Sequence, residues 1–261
     1  MRYLAMLLAL ATLLASCVGT TGGDVIAFEA SAAGSADARA GVPLEFVTDR
    51  GWKVSLTTAK AHVGAVYLNR SLPVSGVQNT SCILPDTYVG QVTDGLDVDL
   101  LSPDPQPFPV LGEGMTAPPA IVAQVWLTGA RVDHVDDATP ILQVEGTAEK
   151  DGTIKPFTGT ITIGANRVQG GADTAQAGAA PICKQRIVSP IPVSLALQKT
   201  GSLLLRMDPR FLFVNVDFSV LPARGDTFAF TDDVMQKDQP SVNLYNNLRA
   251  ASRFYSFEWI P

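Results

Sequence analysis

Apolar and polar residues alternate along this chain with a period of two, and that alternation narrows the available folds more than any other feature of the sequence. Phe157, Ile161 and Ile163 alternate with Thr158, Thr160 and Thr162, the pattern of a strand with one face buried and the other in water. Strands are predicted over 25–30, 52–56 and 61–68. In the last of these, Val63, Ala65 and Tyr67 share a face opposed by His62, Gly64, Val66 and Leu68. The pattern continues over 121–132, with Val125 and Leu127 opposite Gln124 and Trp126, and over 142–146, where Leu142, Val144 and Gly146 alternate with Gln143 and Glu145. Ile191, Val193, Leu195 and Leu197 alternate with Pro192, Ser194, Ala196 and Gln198.

Leu203 begins a buried strand that runs into Asp208-Pro209, where a capping carboxylate and a first-turn proline open a short helical turn. Val214, Val216, Phe218 and Val220 then share a face, so the turn is expected between two strands. A single helix is predicted, with Ser241 capping a run that places Leu244, Leu248 and Ala251 at helical spacing. A closing strand is predicted over 254–260. Glycines and prolines number 22 and 18 while charged residues make up only 17%, a balance that suits short strands and long turns. Two stretches interrupt the strands. Residues 102–119, with Pro103, Pro105, Pro107, Pro109, Pro118 and Pro119, are expected to be extended and exposed, and 164–181 is expected to be a long loop. The fold class that follows is mostly β: an antiparallel β-sandwich with one short C-terminal helix and long irregular loops.

The N-terminus carries a separate signal. Arg2 precedes an uncharged apolar run over 4–14, the length of a signal-peptide core and too short to span a bilayer, which needs roughly 20 apolar residues. Leu14-Ala15-Ser16-Cys17 follows and resembles the lipobox of bacterial lipoproteins: an aliphatic residue, two small residues, and the cysteine that is lipidated and becomes the new N-terminus. The resemblance implies a signal peptide over 1–16, a lipidated tether over 17–23 and a single β-sandwich domain over 24–261. It also implies several acyl chains on Cys17, and stable attachment takes more than one. Val18 stands where an aspartate would direct inner-membrane retention, so by analogy the expected location is the outer membrane of the cell envelope.

Ordinary secretory cleavage near Ala15 or Ser16 would leave three cysteines, an odd number. Lipidation of Cys17 leaves Cys82 and Cys183, an even pair in an oxidising compartment. A disulfide between them would close a loop of about 100 residues, worth on the order of 4 to 5 kcal/mol in the chain-entropy picture. It would also staple together the halves flanking both long stretches. Two free buried thiols are the alternative.

Formal net charge is −6, and loss of Arg2 with the leader makes it −7. No Lys/Arg cluster offsets it, so nucleic acid is not an expected partner. A nucleophilic hydrolase needs a serine or cysteine beside a base. The chain has only His62 and His134 and neither a Gly-x-Ser-x-Gly nor a Ser-x-x-Lys motif, so no catalytic residue is assigned.

No cofactor is expected, and a metal, calcium or another, is the alternative weighed. Asp133, His134, Asp136 and Asp137 gather carboxylates and an imidazole within five residues, and Asp97-Val98-Asp99 adds a further acidic pair. A solvated acidic turn is the commoner outcome for such a cluster, and the pattern lacks the glycine and closing glutamate of an EF-hand. A His62 to His134 pairing for copper or zinc is set against the commoner reading of a lone strand histidine as a surface or edge residue. Trp52, Trp126 and Trp259, with Tyr67 and Tyr88, are candidates for an aromatic platform that stacks sugar or peptide, or else for core filling. Asn69-Arg70-Ser71 formally matches a glycosylation acceptor, which a bacterial leader makes uninformative.

Together these features point to a lipid-anchored envelope protein that acts as a non-catalytic binding or structural module. Its partners would be the membrane, through the N-terminal lipid, and an envelope protein or small ligand. The competing expectation is a metal- or carbohydrate-dependent activity at the 133–137 turn or an aromatic face.

Overall fold

The computed structural model describes residues 23–71, 88–128, 139–162, 188, 190–232, 238–250 and 253–261. Strands dominate them. The first are β1 (Val25–Ala33), β2 (Leu44–Val47), β3 (Lys53–Val63) and β4 (Ala65–Asn69), followed by β5 (Tyr88–Val92), β6 (Leu96–Asp99), β7 (Gln106–Pro107), β8 (Gly112–Met115) and β9 (Ala120–Trp126). Then come β10 (Leu142–Lys150), β11 (Thr153–Ile161), β12 (Ile191–Leu195) and β13 (Ser202–Met207), and last β14 (Ala223–Arg224), β15 (Thr227–Phe230), the helix α1 (Gln239–Arg249) and β16 (Tyr255–Ile260).

These strands form two sheets that face one another across a shared core, a β-sandwich. The nine-stranded sheet has the order β12-β9-β4-β5-β8-β1-β13-β16, with β7 beside β1, and the seven-stranded sheet has the order β14-β15-β11-β10-β3-β2, with β6 beside β3. The larger sheet curls until its edge strands β12 and β16 lie against each other, as twisted sheets of this width tend to do. Pairing is antiparallel except where β1 meets β13 and β11 meets β15, both parallel.

Most of the alternation reads through to the structure, and the exceptions have local causes. The predicted strands over 52–56 and 61–68 are in fact β3 and β4, broken at Gly64. Ala59, Ala61 and Val63 face the core from the smaller sheet, and Val66 and Leu68 face it from the larger. The chain changes sheet at this corner, so the face seen by the core shifts by one residue. Gly64 N–H donates to the Trp126 carbonyl at 2.7 Å across the corner.

Residues 102–119 are less irregular than expected, because β7 and β8 pair with β1 and Phe108 is buried. Prolines at 105, 107 and 109 alternate with residues that keep their N–H, and Phe108 N–H donates to the Ala30 carbonyl at 2.9 Å. A proline-bearing segment can join a sheet in this way when only the intervening residues need donors.

The strand expected over 214–220 is instead a second 3-10 turn over Phe218–Val220, after the first over Pro209–Phe213. Asn215 has φ +58, and Asp217 caps the second turn by accepting from Ser219 N–H at 3.0 Å. Val214 and Val220 are consequently exposed while Val216 and Phe218 are buried. At α1 the cap is Asp238 rather than Ser241. Ser241 lies in the first turn, where its N–H and hydroxyl both donate to Asp238 and its oxygen accepts from Thr231 N–H. Ala251 lies outside the described residues.

One cluster of buried side chains runs between the two sheets. Its densest part is aromatic: the Phe157 ring lies 5.8 Å from Phe213, 5.2 Å from Phe218 and 5.7 Å from Phe230. The two 3-10 turns thus form a lid of phenylalanines over β11 and β15, and α1 holds it down. Asn247 donates to the Leu212 and Val214 carbonyls, and Tyr255 of β16 donates to the Leu248 carbonyl.

Arg210 fixes the rim of this lid. Its guanidinium donates to Asp208 at 2.7 Å, to Asp37 at 2.9 Å and to the Ser35 hydroxyl at 2.9 Å. The Ser35 hydroxyl bonds the Asp37 carboxylate in turn. That bond first, and Arg210 second, hold Asp37 below the usual carboxylate range against the opposing effect of burial. A carboxyl whose pKa is lower in the fold contributes stability that is fully present above its unfolded value, about 3.9. That stability is lost as pH falls through the folded value. Acid unfolding followed by circular dichroism below about pH 4 is therefore expected to be shallower in Asp37→Asn than in the wild type. Parallel acid-unfolding curves would contradict this assignment.

Candidate functional site

Several residues singled out in the sequence lie outside the described residues: Cys17, Cys82, Cys183, and the acidic turn with Asp133, His134, Asp136 and Asp137. The second acidic pair is described and is divided between two tasks. Asp97 on β6 bonds His62 of β3, Oδ1 to Nδ1 at 2.6 Å. Asp99 accepts from Leu101 N–H, and its backbone N–H and carbonyl hold the Gln106 side chain. Gly95 packs flat on the imidazole, since a Cβ there would sit 3.1 Å from Cε1 and Nε2. The pair borders a shallow pocket of about 270 Å³ with Lys60, Pro140 and Gln143. Among the described residues no three His, Cys, Asp or Glu side chains gather where they could hold a metal ion.

The aromatic residues separate. Trp52 packs on Phe218 at 5.6 Å and Trp259 on Phe28 at 5.4 Å, both against the main core. Trp126 does not join them. It lies with Ala65 and Tyr67 in a second, smaller buried cluster, on the face of the nine-stranded sheet turned away from the sandwich core. Tyr67 stands 5.3 Å from Trp126 and 4.9 Å from Tyr88, ring centre to ring centre.

Register explains how this outer face is built. In β4 the core takes Val66 and Leu68, so Ala65, Tyr67 and Asn69 point the other way. In β9 the core takes Ala123 and Val125, which turns Val122, Gln124 and Trp126 outward. Pairing sets Trp126 opposite Ala65, Gln124 opposite Tyr67 and Val122 opposite Asn69. The middle row continues through Gln91 of β5 to Glu113 of β8, and exposure rises along it from 2% at Gln124 to an exposed Glu113.

An outer sheet face is ordinarily wet, yet Asn69 is 0% exposed, Gln124 2% and Trp126 5%. Both Asn69 amide atoms, Gln124 Oε1, Trp126 Nε1 and Thr128 Oγ1 find no hydrogen-bond partner among the described residues. Each such group costs about 1–3 kcal/mol when desolvated and unpaired, and buried polar groups in native proteins are nearly always satisfied. Burial also raises the pKa of the Tyr67 phenol, so the cluster is neutral at physiological pH. Chemically it is a set of donors and acceptors beside three rings, with no formal charge of its own.

Sequence reading placed Gln124 and Trp126 on one face correctly and named Tyr67 and Tyr88 as candidate aromatics. It named Asn69 only as the first residue of a formal glycosylation acceptor and did not place it with these aromatics. The signal that could have found it is the alternation itself, which puts Asn69 in register with Tyr67 and Ala65.

No protein-family model matches the chain, and no curated protein matches it in sequence. Among solved structures it is similar to MbnP from Methylosinus trichosporium, at 12% identity and a TM-score of 0.42 over 90% of this chain and 98% of that one. A likeness of that degree carries neither residues nor activity from one protein to the other.

Proposed function

We propose that this chain is a lipid-anchored envelope protein whose β-sandwich is a binding module, with the outer face of β4 and β9 as its ligand site. The observation that carries the reading is Asn69, a fully buried amide with neither its donor nor its acceptor satisfied among the described residues. Gln124, Trp126 and Thr128 repeat the pattern nearby. Buried polar groups in native proteins are nearly always satisfied, and a small ligand that exchanges hydrogen bonds with the amides and rests on the rings would supply the partners. The anchor half of the reading rests on Leu14-Ala15-Ser16-Cys17.

Native mass spectrometry of the protein extracted in detergent from its own membranes tests both halves. The expected spectrum shows a chain beginning at Cys17 with acyl mass on it, plus a non-covalent small molecule that the Asn69→Leu variant lacks. An unmodified Cys17 would overturn the anchor. Identical non-covalent spectra for the two proteins would overturn the site.

A further inference from the structure

A second site follows from a different part of the same sheet. Between the pairing of Ser31 with Pro107 and that of Phe28 with Gly112, four residues of one strand, 108–111, stand opposite two of the other, Glu29 and Ala30. Phe108 turns inward and is buried, so Pro109, Val110 and Leu111 arch outward; Val110 is 39% and Leu111 59% exposed. The arch and the end of β16 bound a cleft of about 500 Å³. Its walls are apolar, with Pro105, Pro109, Leu111 and Ile260 among them, and its polar floor is Glu29, Ser31 and Ser202.

The floor is arranged for one kind of ligand. Glu29 pairs directly with Ser202 across β1 and β13, about 5 Å away by strand spacing, and Ser31 is two residues along the same face, about 7 Å away. Among the described residues, none of the three side chains has a hydrogen-bond or ion-pair partner. Glu258 adds negative charge one row away, opposite Leu204 on the same face. The nearest guanidinium on that face, Arg206, is committed to the Pro103 carbonyl at 3.1 Å and the Gly34 carbonyl at 3.4 Å.

We propose that this cleft binds a small primary amine in its ammonium form, carried on an apolar body. An ammonium offers three donors and no acceptor, which matches one carboxylate and two hydroxyls, while the proline, leucine and isoleucine walls shield a hydrocarbon portion from water. The ionic hydrogen bond to Glu29 supplies most of the discrimination, because charge-assisted bonds are the stronger class. The overall acidity of the chain raises the local concentration of cations. This site is independent of the β4–β9 face, and either can fail without the other.

Isothermal titration of the purified full chain at neutral pH with hexylamine, hexan-1-ol and hexyltrimethylammonium tests the proposal. Hexylamine is expected to bind at least about tenfold more tightly than either analogue, because one lacks the charge and the other the N–H donors. Glu29→Gln is expected to remove that advantage without altering thermal stability, since Glu29 has no partner among the described residues. Leu111→Ala is expected to weaken hexylamine several-fold. Equal binding of amine and alcohol, unchanged amine affinity in Glu29→Gln, or binding of a lysine-containing peptide but not of hexylamine would each overturn the proposal.

Discussion

Truncating Phe157 to alanine lowers the unfolding free energy by about 3–5 kcal/mol, the range for removing a buried phenylalanine from a packed core. Phe157 is 1% exposed, and its ring meets Phe213, Phe218 and Phe230 at once. Those rings arrive from two 3-10 turns and from β15. Loss of the central ring leaves a cavity that strands and capped turns cannot collapse to fill, so the transfer and cavity contributions add. Domains of this size are stable by only about 5–15 kcal/mol in total, so the variant is expected to unfold at far lower denaturant. Urea titration followed by tryptophan fluorescence measures the effect. A change below about 1 kcal/mol would show that the lid of phenylalanines is loosely packed and that other contacts hold β11 to the turns.

The opposite sign is expected at Asn69. Replacing it with leucine, a side chain of the same branching, removes two desolvated and unpaired polar atoms and puts hydrocarbon in their place. The ligand-free protein is therefore expected to gain about 1–3 kcal/mol in unfolding free energy. Binding at the β4–β9 face should disappear at the same time. A substitution that strengthens the fold while abolishing a property is the mark of a residue kept for function rather than for stability. Gln124→Leu should follow in the same direction with a smaller gain, since only its Oε1 atom is both buried and unpartnered. Equilibrium unfolding of ligand-free protein checks the sign, and destabilisation by Asn69→Leu would mean that the amide is satisfied within the fold.

These two residues also show what a single sequence can and cannot carry. Phe157 was legible because its strand alternates cleanly with Thr158, Thr160 and Thr162, and alternation is a local property of a half-buried strand. Its partners were only half legible: Asp208-Pro209 announced one turn, but the valines at 214, 216 and 220 mimic a strand. What breaks that pattern is the conformation of Asn215 and the cap at Asp217.

The proline segment misled for a related reason, since composition says extended while pairing depends on which N–H groups β1 needs. The candidate site was the least legible part. Asn69 and Val122 are brought together by strand pairing across a long stretch of chain. The burial of an outer sheet face is likewise set by what lies over the sheet, which no local period records. The parallel pairings of β1 with β13 and of β11 with β15 are non-local in the same sense.

The outer face of β4 and β9 is tested most directly by a crystal structure, at resolution sufficient to distinguish water from organic density, of protein purified from its own host. The expected result is one bound molecule that is not water, with polar atoms about 3 Å from the Asn69 amide, Gln124 Oε1 and Trp126 Nε1, and with its body against Tyr67 or Tyr88. Ordered water alone on those atoms, in protein that has never been stripped of ligand, would contradict the assignment of this face as a binding site.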